Sequence, residues 1–150
     1  MRLFIDTNVI LEFIDQRREY ANVKSILAGV RDKKYEGLIS QGSVYTLAFL
    51  IERSLKAREI HKPEQTVQLR RLLKSVLNLF EPIGIKRKEM IEAVCNQAFT
   101  DIEDSFQYQC ALENRCDVLL TINAKDFKNV GQKQVEILTP TQFAEKYLSK

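Results

Sequence analysis

Short apolar runs alternate along the chain with longer segments whose apolar positions recur every three or four residues. Residues 2–5 form one such run, ending at Asp6, and positions 9–13 continue as the first turns of a helix. Across 19–33, Val23, Ile26, Leu27 and Val30 keep helical spacing, and Lys33-Lys34-Tyr35-Glu36-Gly37 reads as the helix exit before a second strand at 38–40. Val44, Leu47, Leu50, Ile51 and Leu55 place a helix over 43–57. Pro63 opens a further helix whose apolar face is Val67, Leu69, Leu72, Leu73, Val76, Leu77 and Phe80, and the two are expected to pack as a pair. Residues 81–85 contain Pro and Gly and make a weak third strand. Helical spacing returns over 88–99 through Met90, Ile91, Val94 and Ala98. Thr100 before Asp101-Ile102-Glu103 has the form of a capping box, starting a helix that runs to about 115. Residues 118–122 are the clearest strand, a continuous apolar run of buried type. A polar loop with Asn123, Lys125, Asp126 and Asn129 follows, then a last strand at 135–138 and a closing helix over 140–148. Strands alternating with helices imply an α/β fold around a mostly parallel sheet of about five strands, with no internal repeat and a single domain over 1–150.

Composition narrows the class. The chain has 150 residues, 45% of them hydrophobic, enough for a core without disulfides or structural metal. Five Gly and three Pro exclude low complexity. The apolar start is interrupted by Asp6 and lacks a small-residue cleavage site, so it does not read as a secretion signal. The longest apolar stretch, 44–51, is too short to span a bilayer. The cytoplasm is the expected compartment, with no membrane partner. Cys95, Cys110 and Cys116 form no C-x-x-C pair and share the chain with a single histidine, His61, which excludes a disulfide framework, a zinc site and a Cys-His nucleophile pair. The cysteines are expected as small buried hydrophobes and His61 as a surface residue. A net charge of +3 does not by itself announce nucleic acid.

In an open parallel α/β sheet the ligand crevice lies beyond the carboxyl ends of the strands. Asp6-Thr7-Asn8 follows the first strand there, and Asn123 and Asp126 follow the strand at 118–122. A third acidic cluster, Asp101, Glu103 and Asp104, opens the helix leading into that same strand. Each has an ordinary structural explanation: an Asx-capped turn at Asp6, dipole-favouring acids in a helix start capped by Thr100, a surface loop at 123–127. Asp104 stands one turn after Asp101, on the same face. Should the clusters converge, their like charges raise one another's pKa unless a cation neutralises them, and a hard divalent ion with oxygen ligands is the natural solution. Mg²⁺ or Mn²⁺ in such a pocket points to phosphodiester hydrolysis. The substrate's charge would be met by Arg70, Arg71 and Lys74 on one helix, by Lys86-Arg87-Lys88, and by Lys56, Arg58, His61 and Lys62, unless these are only solvated faces. Dinucleotide and P-loop chemistry lack their glycine motifs. A phospho-receiver reading lacks an acceptor Asp after a middle strand.

Three motifs in this order, Asp6-Thr7-Asn8-Val9, Asp101-Ile102-Glu103-Asp104-Ser105-Phe106-Gln107-Tyr108 and Thr121-Ile122-Asn123-Ala124-Lys125-Asp126-Phe127, resemble those of PIN-domain nucleases, more specifically ribonuclease toxins of the VapC kind. The resemblance spans essentially the whole chain. It implies a three-layer α/β/α sandwich, Mg²⁺ or Mn²⁺ at a cluster of acids, cleavage of RNA, a small antitoxin protein as partner and a homodimer. Carried over by position, Asp6 and Asp104 are metal ligands and catalytic residues, Asp101 is an accessory ligand, and the last acidic position is Asn123 or Asp126. One departure stands out. Many such chains carry a Glu in the helix after the second strand, about where Thr46 stands. Glu52 lies nearly two turns further on. The Thr46 hydroxyl is the candidate to hold a water in its place. The missing carboxylate also motivates an alternative, a catalytically degenerate PIN-fold module that binds RNA or a protein partner.

Overall fold

Successive residues of the first strand are buried in opposite directions: Leu3 and Ile5 enter one apolar core and Phe4 the other. The third-layer consequence follows from that alternation, because a strand apolar on both faces needs helices on both faces. The computed structural model describes residues 1–130 and 134–149. Its elements are β1 (Arg2–Ile5), α1 (Thr7–Ile14), α2 (Tyr20–Arg31), β2 (Glu36–Ser40), α3 (Gln41–Ala57), α4 (Glu64–Leu79), β3 (Glu81–Ile83), α5 (Arg87–Cys95), α6 (Ile102–Glu113), β4 (Val118–Leu120), β5 (Glu136–Leu138) and α7 (Pro140–Phe143). A single 3-10 turn, Ala124–Phe127, separates β4 from β5, and α7 runs on as a π-helical stretch, Ala144–Leu148.

The sheet order is β3-β2-β1-β4-β5, and every pairing is parallel. The α/β/α sandwich and its five-stranded sheet are therefore as expected from the sequence. The chain first builds outward from β1 through β2 to β3, then crosses to the other side of β1 to lay down β4 and β5. That reversal makes the carboxyl ends of β1 and β4 the switch point, where side chains diverge and a crevice opens. Asp6, directly after β1, lies there, and its amide still donates to the Leu120 carbonyl of β4 at 3.0 Å.

On one face α1, α2, α3, α4 and α7 cover Leu3, Ile5, Ile39, Val118 and Leu120. On the other, Tyr108, Cys110 and Ala111 of α6 join Phe99 and Phe127 over Phe4, Leu38 and Leu119. Phe99 meets Phe127 edge to face, with ring centroids 5.4 Å apart. This packing explains why α5 stops at Cys95 although helical spacing continues to 99: Asn96 turns the chain, its side chain accepting from the Ala98 amide, and Phe99 drops into the second core. β2 begins at Glu36, two residues before the apolar run, because Arg2 pairs with it in register and its guanidinium meets the Glu36 carboxylate at 2.6 Å. α3 and α4 do pack together. Cys110 and Cys116 are buried, but Cys95 is exposed, contrary to expectation, because it lies on the outward side of α5. His61 is exposed as expected. No helix among the described residues is long and apolar enough to cross a membrane.

One position in the sheet has no room for a side chain. A Cβ on Gly37 would come within 2.7 Å of Val30 Cγ1 and 2.8 Å of Phe80 Cδ1, both buried. Gly37→Ala is expected to cost about 1–3 kcal/mol through overpacking. The check is urea unfolding, with a lower midpoint at unchanged slope; an unchanged midpoint would show that Phe80 yields freely.

Candidate active site

Asp6 occupies the N-cap position of α1 with an extended backbone, yet its side chain caps nothing. The expected Asx cap is absent because the carboxylate is engaged elsewhere. Oδ1 accepts from Nε2 of Gln107 at 3.1 Å and Oδ2 from the Thr121 hydroxyl at 2.9 Å. Asp6 is only 4% exposed.

The groups behind it form a closed hydrogen-bond circuit whose protons can be assigned. The Gln107 amide nitrogen donates to Asp6 and to Ser43 Oγ at 3.0 Å, and the Ser40 hydroxyl donates to Gln107 Oε1 at 2.7 Å. Thr7 donates to Ser43 at 2.9 Å. Ser43 then has one proton left, and it goes to Ser40 Oγ at 2.8 Å. Thr121 Oγ accepts from the Asn123 amide at 3.2 Å, which leaves its own proton for Asp6. Every donor is consumed, so both Asp6 oxygens are acceptors, the arrangement suited to an ionised carboxylate. Burial opposes it and is the stronger influence, so the Asp6 pKa is raised on balance, with the bonds from Gln107 and Thr121 and the nearby Thr7 backbone pulling it part of the way back.

The second cluster enters from α6. Asp101, not Thr100, is the N-cap: its Oδ1 accepts from the amides of Glu103 at 2.8 Å and Asp104 at 3.2 Å. The sequence offered two adjacent capping residues, and the carboxylate takes the amides. Asp104, half-buried, has its carboxyl pushed up to about 7, first by burial, then by the charges of Asp101, Asp6, Asp126 and Glu103. Glu103 is raised as well, by burial and then by Asp6 and Asp101. The acids after β1, at the start of α6 and after β4 are thus near enough to feel one another. After β4, the charge of Asp126 bears on Asp104, while Asn123 is a neutral carboxamide. Asn123 is exposed and its side chain bonds to no described residue. Thr46 lies one turn into α3, where its hydroxyl donates to the Gly42 carbonyl at 3.3 Å and is bonded to none of the acids.

Among the described residues no three His, Cys, Asp or Glu side chains form a ready-made metal cage. The donor set nevertheless fits a hard divalent ion. It is all oxygen, one member is rigidly held, and the mutual crowding of carboxylates is the imbalance that a 2+ charge offsets. Such ions keep several waters and need only one or two carboxylates.

The basic residues divide between two places. Lys86, Arg87 and Lys88 follow the carboxyl end of β3 and are exposed on the edge of the sheet that carries the acids. Arg70, Arg71 and Lys74 are exposed midway along α4, the helix whose last residues reach the amino end of β3, the opposite edge. A cavity of about 580 Å³ between Tyr35 and Phe80 also opens at that opposite edge and contains none of the clustered acids. Sequence reasoning passed over Gln107, Thr121, Ser40, Ser43 and Thr7 as site residues. No signal in the sequence marks them: Gln107 sits among the polar residues Ser105 and Gln109 of one helix, and Ser40 and Thr121 read as ordinary strand-end residues.

A family model described as a PIN domain matches residues 2–125. The chain is 26% identical over 153 aligned positions to Ribonuclease VapC1 of Aquifex aeolicus (strain VF5), covering 97% of this chain and 95% of that one. Its fold is similar to a chain in the crystal structure of VapBC2 from Rickettsia felis bound to a DNA fragment from their promoter. There the TM-score is 0.65 at 18% identity, over 93% of this chain and 98% of that one.

The raised Asp104 pKa has a stability consequence in metal-free protein. A carboxyl near 7 when folded and 3.8 when unfolded keeps its proton longer in the fold. Stability therefore falls as pH rises between those values, and the penalty is fully present above 7. Asp104→Asn is expected to raise the melting temperature at pH 8 in EDTA, with the gain shrinking toward pH 4. A gain independent of pH would remove the charge explanation.

Proposed function

The chain belongs to the PIN-domain family, and on that premise we propose that it is a divalent-metal-dependent endoribonuclease hydrolysing RNA phosphodiesters, acting in the cytoplasm as the toxin of a toxin–antitoxin pair. The observation that carries the reading is Asp6. A carboxylate at an N-cap that forgoes capping, is buried, and is held at both oxygens by donors from α6 and the end of β4 is positioned for something other than the helix. The name of the 26%-identical relative supports ribonuclease activity. The VapBC2 complex among similar folds supports a small antitoxin as partner. A homodimer goes with the same family reading.

Mg²⁺ or Mn²⁺, when bound, supplies polarisation of the scissile phosphate and activation of the attacking water. Asp6, Asp104 and Asp126 are the residues that would hold it, with Asp101 as accessory: its Oδ1 is committed to the α6 cap and only Oδ2 is left. Gln107 and Thr121 favour the charged form of the Asp6 carboxyl against its burial and hold it fixed, which removes the cost of orienting it during turnover. Asp104, with a pKa near neutrality in metal-free protein, gives up its proton as the site is neutralised, so metal uptake strengthens as pH rises through 7. Asn123 stands beside Asp126 on the exposed side and faces substrate. Thr46, at the position of the missing Glu, contributes a hydroxyl rather than a charge and holds a water. Lys86, Arg87 and Lys88 meet the RNA backbone at the site edge, and Arg70, Arg71 and Lys74 extend the basic surface further away.

Purified protein is expected to fragment a mixed RNA pool with Mn²⁺ or Mg²⁺ and not with EDTA. Asp6→Asn and Asp104→Asn should each lower the rate at least about 100-fold with RNA binding retained, the loss expected for electrostatic machinery. Parental rates in both variants would refute the site. Arg87→Gln with Lys88→Gln should weaken binding and reduce the salt slope by about one per lost phosphate contact. The Arg70→Gln, Arg71→Gln pair should do less, and the opposite order would move the RNA path to α4.

A further inference from the structure

Beside the acids lies a cavity of about 400 Å³ between the β2–α3 junction, the β3–α5 junction and α6. Its walls are largely apolar, made by Ile83, Ile85, Met90 and Phe106, with Met90 about half exposed. An open apolar slot on a surface is costly to keep unless something fills it. Its position ties it to the acids. Glu103 and Gln107 line it, and the same Gln107 holds Asp6 at 3.1 Å. A group seated there is separated from the Asp6 carboxylate by one side chain.

The rim carries a carboxamide that the protein does not use. Gln41, the first residue of α3, bonds to no described residue, and its amide lies across Gly84. A Cβ on Gly84 would stand 3.2 Å from Gln41 Oε1, so the glycine gives the amide space to lie against the loop. A carboxamide offers one acceptor and two donor hydrogens in a plane, the complement of a base edge. Immediately after Ile85 come Lys86, Arg87 and Lys88, all exposed. Apolar walls, an unpaired amide at the rim and exposed cations that follow the wall residue Ile85 directly in the chain match the three parts of a nucleotide: ring faces, ring edge, phosphate. An apolar protein side chain would fill the walls but leave the amide and the cations without partners.

We propose that this cavity receives one unstacked nucleobase of the RNA next to the scissile phosphate, with Gln41 reading its edge. The inference rests on the nuclease reading of the acids and deepens it. Single-stranded RNA is read in this way, by splayed bases held on apolar or aromatic walls and bonded along their edges. The seated base fixes which phosphate reaches Asp6.

The chain has two methionines, and they sit at opposite edges of the sheet: Met90 in the cavity wall, Met1 beside Tyr35 and Phe80. Full-length protein labelled with 13C-methyl methionine is titrated in EDTA with four RNA tetranucleotides, each of one base, and with an abasic tetranucleotide. The expected result is a saturable Met90 methyl shift with at least one base, a stationary Met1, and no Met90 shift with the abasic strand. Gln41→Ala should weaken the preferred tetranucleotide about tenfold, the loss of one hydrogen-bonded pair. Three outcomes overturn the proposal: a Met90 methyl unmoved by every base, equal shifts with the abasic strand, or a Met90 that responds only to a protein partner. Because EDTA prevents turnover, the result is independent of whether the protein cleaves RNA. Failure here with metal-dependent cleavage intact removes only the base pocket. Failure of cleavage with Met90 responding removes the nuclease and leaves an RNA-binding site.

Discussion

The Asp6 carboxylate, taken almost wholly out of water at the end of β1, would be costly to keep charged if it stood alone. Two donors hold it, one from α6 and one from the residue after β4, and each is fixed in turn by further bonds, Gln107 through Ser40 and Ser43, Thr121 through the Asn123 amide. Three segments far apart in sequence thereby meet at one charged atom pair. The circuit accounts for its protons completely, and among the described residues no buried side-chain polar atom lacks a partner. Such a network is stiff because no member can rotate without leaving another unsatisfied.

Much of this was legible in the sequence, for identifiable reasons. Residues 3–5 and 118–120 are continuous apolar runs, the pattern of strands covered on both faces, so the layer architecture followed from them. As candidates, Asp6 and Asp126 stood out in the sequence as acids just beyond strand ends, and Asp104 as an acid one turn after Asp101 at the start of α6. Asp101 was harder, since its capping bonds to Glu103 and Asp104 and any role toward a cation use the same carboxylate. Gln107, Thr121, Ser40 and Ser43 were not legible as site residues. A polar residue inside an amphipathic helix reads as solvent-facing unless its rotation about the axis is known, and that rotation is set by the packing of Tyr108, Cys110 and Ala111 onto the sheet. The end of α5 at Cys95 was missed because helical spacing is local, whereas the pull of Phe99 toward Phe127 is tertiary.

The two sides of the crevice differ in sign. Carboxylates gather beyond β1 and β4, and lysines and an arginine head α5 beyond β3. A polyanion approaching this edge meets attraction on one side and repulsion on the other, which orients it before any close contact forms. The apolar cavity lies between the two fields, where neither charge dominates.

The sheet order also sets a schedule. β2, one partner of β1, is made soon after it, but the other edge of β1 and the Asp6 carboxylate wait for β4, which is made roughly 110 residues after β1, several seconds or more at ordinary synthesis rates. Until then Asp6 has neither Thr121 nor Gln107, and its exposed carboxylate behaves like any surface acid. The constellation therefore comes into existence late and at once, when the final third of the chain docks, so a truncated or stalled translation product carries β1 and Asp6 without the geometry that gives them meaning.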